Sequence, residues 1–330
     1  MHKHFQAKIK HHYVWAKYLT RWSNTPNKVF YTTNTGKIVE DSVRGIAMEK
    51  DFYKVSRLTD WQIQVIKNFS QESPESLHKQ HMNYLADFIK IQQLEDTFQH
   101  SRSKNKMIAQ SIHAMRCNTL ENLHSFHEKS VAKIIESLAN KNIEILENDE
   151  NIMFFLCFLG HQLTRTRAFK ESSLRGLARR TPIEESYAQA MEGAWWFFSY
   201  MFGMNIGISM YLNRNSSQYA ILVNDTDIPF ITSDQPVINV HSCVSETELI
   251  APQKADLYFP ISPRIAFILC DEPRFASSLQ TVDPDLVQNL NYKIARRAMV
   301  HIIGNSKESI ENFQKNIGLS HKKFLSNQKV

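Results

Sequence analysis

Cysteine, glycine and proline are all scarce in this 330-residue chain, which holds four Cys, nine Gly and ten Pro. Cys117, Cys157, Cys243 and Cys270 lie far apart, with no C-x-x-C pair and no Cys/His set at zinc-finger spacing. That excludes a disulfide framework and a zinc ribbon, and the expectation is four buried free thiols. So few Gly and Pro exclude a linker-rich or low-complexity chain. Also missing are G-x-G-x-x-G, G-x-x-x-x-G-K-[ST], H-E-x-x-H and G-x-S-x-G, which removes the usual motifs of dehydrogenases, P-loop NTPases, zinc proteases and serine hydrolases. Residues Met1–Phe5 offer no apolar signal region, so the expected location is a reducing cytoplasm. Long apolar runs are few. Ala194–Leu212 has the length of a spanning helix, but Ser199, Asn205, Ser209 and its Gly and Asn breaks point to a central buried helix, and no membrane partner is expected. Ile152–Leu159 is too short to span and reads as core.

What is present is globular: 42% hydrophobic and 22% charged residues in 38.4 kDa, enough for a sizeable core in a single domain. The net charge of +6 is unevenly placed. Residues 1–60 carry eleven Lys/Arg against five Asp/Glu, the whole surplus, with His2, His4, His11 and His12 at the same end. A polyanion such as nucleic acid would be drawn there first; a solvated basic face is the plainer reading.

Periodicity divides the chain into a helical part, 1–214, and a sheet-containing part, 215–330. Lys8–Trp22 reads as a short helix and residues 28–39 as a hairpin about Asn34-Thr35-Gly36. Residues 49–60 read as irregular. Helices are expected near 75–98, 103–117, 119–147, 151–170 and 183–213, with Asn118 capping the third and Pro74 and Pro182 opening two others. Short β-rich runs follow at 219–223, 228–232, 237–240, 256–259 and 265–270, then a helix at 283–297 and a last strand at 299–303. The fold class is α+β: a mainly helical core over about 75–213, an antiparallel sheet from the C-terminal third, and an N-terminal helix plus hairpin.

Four segments hold residues suited to chemistry. In Lys10-His11-His12-Tyr13, His12 is the candidate: an imidazole can act as acid or base, or hold a phosphate or metal, while the plain alternative is a ring bonded to the backbone. His161, Gln162 and Arg165 share one helix, with His161 and Arg165 at i,i+4 on one face. Arg165 suits a carboxylate or phosphate, or an internal ion pair with Glu121, Glu128 or Asp234. Ser233-Asp234-Gln235-Pro236 ends an apolar strand, where Asp234 could orient a His, act as base, bind a metal, or simply form an Asx turn. Tyr258–Arg264, with Pro260 and Pro263, reads as a turn. Arg296 and His301 have the R-x4-H spacing of one class of metal-independent helical ribonucleases, a spacing that also arises readily by chance.

Together these segments resemble a broad, chiefly bacterial family of uncharacterised proteins whose N-terminus reads H-Y-V-P-x-x-Y-L-R-x-F, matched here by His12–Trp22. The likeness extends to a helical Q-x-x-R at Gln162 and Arg165, S-D-x-P at Ser233–Pro236, P-L-S-P at Pro260–Pro263, and an Asn-to-Ala pattern near Asn289–Ala298. Trp15 stands where the family has Pro, and Arg21 sits one place beyond the family's basic residue. The resemblance implies a shared site around His12, Gln162, Arg165 and Asp234, and a role of the accessory or defence kind, without naming a reaction.

The leading expectation is a nuclease cleaving RNA or DNA in a defence or toxin role. His12 would be the acid/base, Arg165 would hold the phosphate, and Asp234 would orient His12 or bind a metal. Lys10, His11, Tyr13, Gln162 and Ser233 would complete the binding set. A divalent metal is the candidate cofactor, and nucleic acid, through residues 1–60, is the candidate partner; a protein partner or homo-oligomer stays open. The alternative is a non-enzymatic sensor or partner-binding module whose polar cluster locks the N-terminal segment in place.

Overall fold

A computed structural model describes residues 6–245, 248 and 250–322; Met1–Phe5, with His2 and His4, lie outside the described residues. In chain order the elements are β1 (Lys10–His12), α1 (Ala16–Leu19), β2 (Lys28–Thr32), β3 (Ile38–Ser42), β4 (Met48–Lys50), α2 (Asp60–Gln71), α3 (Glu75–His100), α4 (Lys106–Ala139), α5 (Asp149–Thr164), α6 (Arg167–Arg175), α7 (Pro182–Gly193) and α8 (Trp195–Leu212). They continue with β5 (Gln218–Val223), β6 (Thr232–Ser233), β7 (Ile238–Asn239), β8 (Asp256–Pro260), β9 (Ile265–Cys270), β10 (Leu279–Thr281), α9 (Pro284–Arg297), β11 (Ile302–Gly304) and α10 (Lys307–Glu311). The fold is α+β, as the sequence implies.

Several expected boundaries move. The two helices expected on either side of Asn118 are one, α4. Asn118 caps nothing; its side chain accepts from the Lys8 N–H and donates to the Gln6 carbonyl, docking the N-terminal segment. The expected helix at 151–170 breaks at Arg165, because Thr166 caps a new helix through the Phe169 N–H. Residues 10–12, expected as helix, pair with β4. Four residues of the run expected at 228–232 precede β6. Helix α2, unexpected, opens with a Thr59/Gln62 capping box.

The strands form three sheets. β1 and β4 make an antiparallel pair. A five-stranded sheet runs β10-β5-β9-β8-β7, antiparallel except for the parallel β10–β5 edge. A four-stranded sheet, β3-β2-β11-β6, joins the early hairpin to the C-terminal strands. In β5 and β9 nearly every residue is buried, because both faces of the large sheet are covered. Ala220, Leu222 and Ile268 pack with Val287, Leu290 and Ile294 of α9, while Ile221, Val223 and Phe267 join the helical core, where Phe155 meets Phe267 edge to face at 4.9 Å. This is why those strands read as continuous apolar runs rather than alternating ones.

Helix α5 packs along α8 more extensively than any other pair of elements among the described residues. Glycine sets the approach. A Cβ on Gly160 would lie 2.7 Å from the Gly207 nitrogen, and one on Gly207 would lie 2.6 Å from the Cys157 Cα. The glycines expected to break the 194–212 helix are thus its packing surface, and no described helix is long and apolar enough to cross a membrane. All four cysteines are free, but only Cys117 and Cys270 are buried; Cys157 is half-buried and Cys243 exposed, which corrects the expectation of four buried thiols.

Candidate functional site

The four segments meet around the C-terminal end of α5. Gln162 donates to the Tyr13 carbonyl at 2.9 Å and accepts from Arg165 at 2.7 Å. The Tyr18 hydroxyl lies 2.7 Å from both the Thr232 hydroxyl and the Pro260 carbonyl, and Trp22 donates to the Phe230 carbonyl at 2.9 Å. The Gln235 side chain bonds the Thr166 hydroxyl and the carbonyls of Leu163 and Val237. The N-terminal segment, the helices and the sheets are thereby stitched at one place.

Arg165 is sealed there. Its side chain is 3% exposed and pairs at 2.8 Å with Glu128, itself 15% exposed. Of the three carboxylates that sequence allowed as partners, Glu128 is the one bonded. Tyr53 caps the end of α5 by donating to the Arg165 carbonyl at 3.2 Å. Asp234 is 1% exposed, and its two oxygens accept from the Met299, Val300 and His301 N–H groups at 2.8–3.0 Å. Ser233 closes the same turn through Gln235, accepting from its N–H and donating to its carbonyl. The Tyr13 phenol is held protonated well beyond its usual range, first by burial and then by the Asp234 carboxylate.

The two adjacent histidines have opposite surroundings. His11 is buried: Nε2 donates to the Lys8 carbonyl at 2.7 Å, Nδ1 accepts from the Tyr53 N–H at 2.8 Å, and its ring stacks on Tyr53. Burial lowers its pKa. His12 is half-exposed and donates from Nε2 to the Arg44 carbonyl at 3.1 Å. Its ring makes no hydrogen bond to Arg165 or Asp234, and Lys10 beside it is exposed. Thus Tyr13, Gln162, Arg165 and Asp234 converge in the interior while Lys10 and His12 face outward. Arg296 bonds the Tyr292 hydroxyl at the end of α9, and the His301 ring bonds the Thr32 carbonyl beyond the helix, so the R-x4-H spacing spans no single helix.

Sequence reasoning missed a set of side chains on α4 beside Arg165. Glu121, His124, His127 and Glu128 recur at i, i+3, i+6 and i+7 on one side of α4, a titratable stripe that helical spacing could have exposed. Burial, and next the Glu128 carboxylate, push Glu121 up to about 7. Burial and then the Arg165 charge pull His127 down to about 4. His124 and His161 are held far below the usual imidazole range, in both cases chiefly by burial. The rings form a connected cluster: His161 stacks on Tyr200 at 4.5 Å, His127 lies tilted 4.3 Å from His161, His124 meets His161 edge to face at 5.8 Å, and Tyr53 lies tilted 4.6 Å from His124. Gly203 makes room for it: a Cβ there would lie 2.5 Å from the His161 Nδ1. Among the described residues no group of three or more His, Cys, Asp or Glu is placed to hold a metal ion.

On the far side of the Gln235 turn lies a groove of about 1000 Å³ between α6, α8 and the large sheet. Leu163, Phe169, Ile206, Met210, Val237 and Leu257 form its apolar walls, and Gln235 also lines it.

The model of a family of proteins of unknown function, DUF4238, matches residues 10–308, taking in all four segments and the groove walls named above. The chain belongs to this family. No curated protein and no solved structure matches it. In this DUF4238 chain, then, the matched region runs from β1 to the start of α10 and leaves only the ends outside.

Proposed function

We propose that the protein is a binding module for a small, largely apolar ligand held in the groove, and that the Tyr13–Gln162–Arg165–Glu128 network and the Asp234 turn are its structural lock. The groove carries this reading. Its volume and its apolar walls with a few polar groups match what small-molecule sites require, about 300–1,000 Å³. Gln235, part of the Asp234 turn, lines the groove and donates to the carbonyl of Leu163, next to Gln162 in the chain, so occupancy can be felt by the segment that the lock holds. The test is fluorescence titration with 1-anilinonaphthalene-8-sulfonate, followed by displacement with laurate. Binding should be saturable and should weaken at least about tenfold when Met210→Trp fills the groove without lowering the melting temperature. A wild-type protein that binds neither probe rejects the reading.

A second reading is the phosphodiester-cleaving enzyme, a nuclease in a defence or toxin role, with His12, Arg165 and Asp234 as its working groups. What supports it is the half-exposed His12 ring beside Lys10 and Arg44, where a phosphate could reach an imidazole. It requires cleavage of RNA or DNA, with or without a divalent metal, that falls in His12→Ala and Arg165→Ala proteins that still fold. Full activity in both variants, or none in the wild type on either substrate, removes it.

A further inference from the structure

We infer that the outward face of the β1–β4 pair is a contact surface for the phosphate backbone of a nucleic-acid strand, built from Lys10, His12, Arg44 and Lys50. Lys10 lies directly opposite Lys50 across the antiparallel pair, and His12 opposite Met48. Directly opposed residues point to the same side of a sheet, and like charges in that position destabilise the pairing. A two-stranded pair of three residues per strand has little stability to spare. Within β1, Lys10 and His12 share the outward face by the period of two, and His11 takes the inward one.

The charges on this face have no internal answer. Lys10, Lys50 and Arg44 are exposed, and among the described residues none of the three forms an ion pair. Other cations do hold a carboxylate: Arg21, Arg116 and Arg214, which are half-buried, and Arg57 and Arg179, which are exposed. The nearby acids are turned away or taken. Glu49, exposed, lies opposite His11 in the register and so on the other side of the strands, and Asp51 holds Lys54 at 3.5 Å. An uncompensated cationic cluster inside the most basic stretch of the chain is complementary to a polyanion.

The cluster is also held in place. The buried His11 ring, bonded at both nitrogens and stacked on Tyr53, pins β1 from below, and the Asp51 N–H to Ile9 carbonyl bond of 2.8 Å and the Tyr13 N–H to Ala47 carbonyl bond of 3.0 Å close the two ends of the pair. Lys10 and His12 are then roughly 6.6 Å apart along the strand, about the separation of successive phosphates on one nucleic-acid strand. His12 gives its Nε2 proton to the Arg44 carbonyl, which ties the ring to the segment that carries Arg44. Such contacts position a backbone and carry no base specificity. The inference does not depend on the groove, nor on whether the bound strand is cleaved.

The test is fluorescence anisotropy with the full chain and two labelled probes, a short single-stranded RNA and a short DNA duplex, in the presence of EDTA. The wild type should bind at least one of them, with affinity falling as salt rises. Lys10→Gln/Lys50→Gln should lose at least about tenfold at low salt, and its slope of log K against log salt should drop by roughly 0.7–0.9 for each phosphate contact removed. Lys28→Gln/Lys37→Gln, which removes the same charge from the β2–β3 hairpin, should keep wild-type affinity, and melting temperatures no lower than wild type in both double variants exclude unfolding as the cause. Equal loss in both double variants, or no binding of either probe by the wild type, overturns the inference.

Discussion

Arg165 and Arg44 occupy two regions of the molecule that use the same residue types to opposite ends. At the end of α5 a guanidinium, two glutamates and three imidazoles are drawn into the interior, where Arg165 is held by Glu128 and Gln162 and the imidazoles are kept neutral. On the β1–β4 face Lys10, His12, Arg44 and Lys50 stand in water without a carboxylate between them. Residue type alone does not separate a lock from a contact surface. What separates them is whether each charge already has its counter-charge, because a buried charge must be paired and an exposed one need not be.

The largest effect should come from breaking the buried side of this contrast. Arg165→Ala leaves Glu128 and Gln162 without their donor in a dry site, and we expect a loss of about 3–5 kcal/mol in denaturant unfolding. Replacing both partners, Arg165→Met with Glu128→Leu, should recover most of it, because no charge is then stranded. Arg44→Ala should cost less than about 0.5 kcal/mol. Equal losses for Arg165→Ala and Arg44→Ala would erase the distinction drawn here. Next in size is Gly160→Ala, which forces a methyl into the α8 backbone at the crossing below the lock; about 1–3 kcal/mol is expected from overpacking. Asp234→Ala, which strips three backbone N–H groups of their acceptor, should fall in a similar range of about 1–3 kcal/mol.

The lock was partly legible. Gln162, Arg165 and Asp234 could be picked out because polar side chains interrupt an apolar helix and an apolar strand end, and Glu128 was among the acids named as a partner for Arg165. The partner itself could not be chosen, since 37 residues and a helix reversal separate them. Long helices were visible from periodicity, whereas Asn118 misled: an Asn before an apolar run resembles a cap, and only a contact 110 residues away explains it. Helix α2 could have been found from Thr59-Asp-Trp-Gln62, a capping-box spacing. In the pair His11-His12, strand alternation says that one ring turns inward but not which. His12 is the ring the motif singles out, and the buried ring is His11.

A smaller effect concerns pH and sharpens the contrast from the buried side. Glu121 is raised to about 7, so its protonated form is favoured in the folded state. Its contribution is full below the ordinary glutamate range and is lost as pH rises toward 7. The buried imidazoles act in the other direction: with folded values pulled down, His127 to about 4, their contribution is present above the usual histidine value and is lost as pH falls. Between about pH 4.5 and 6.5 the two oppose each other, and the several imidazoles outweigh the one carboxyl, so wild-type melting temperature should rise across this window. Glu121→Gln removes the opposing limb and should make the rise steeper. An unchanged or shallower rise would mean that Glu121 is not desolvated as its place beside Arg165 implies.

The smallest effect is also the one that tests the adjacent histidines against each other. His12→Ala removes a half-exposed ring with one bond to the Arg44 carbonyl, so its thermal stability should stay within about 0.5 kcal/mol of wild type. His11→Ala removes a buried ring, its acceptor for the Tyr53 N–H, and its stacking partner, and about 1–3 kcal/mol should be lost. The two differ again in binding: His12→Ala should weaken nucleic-acid affinity while its melting temperature stays that of the wild type, because it removes one side chain from the outward β1–β4 face. A His12→Ala protein that melts as early as His11→Ala would instead place both rings in the lock and take His12 away from the β1–β4 face.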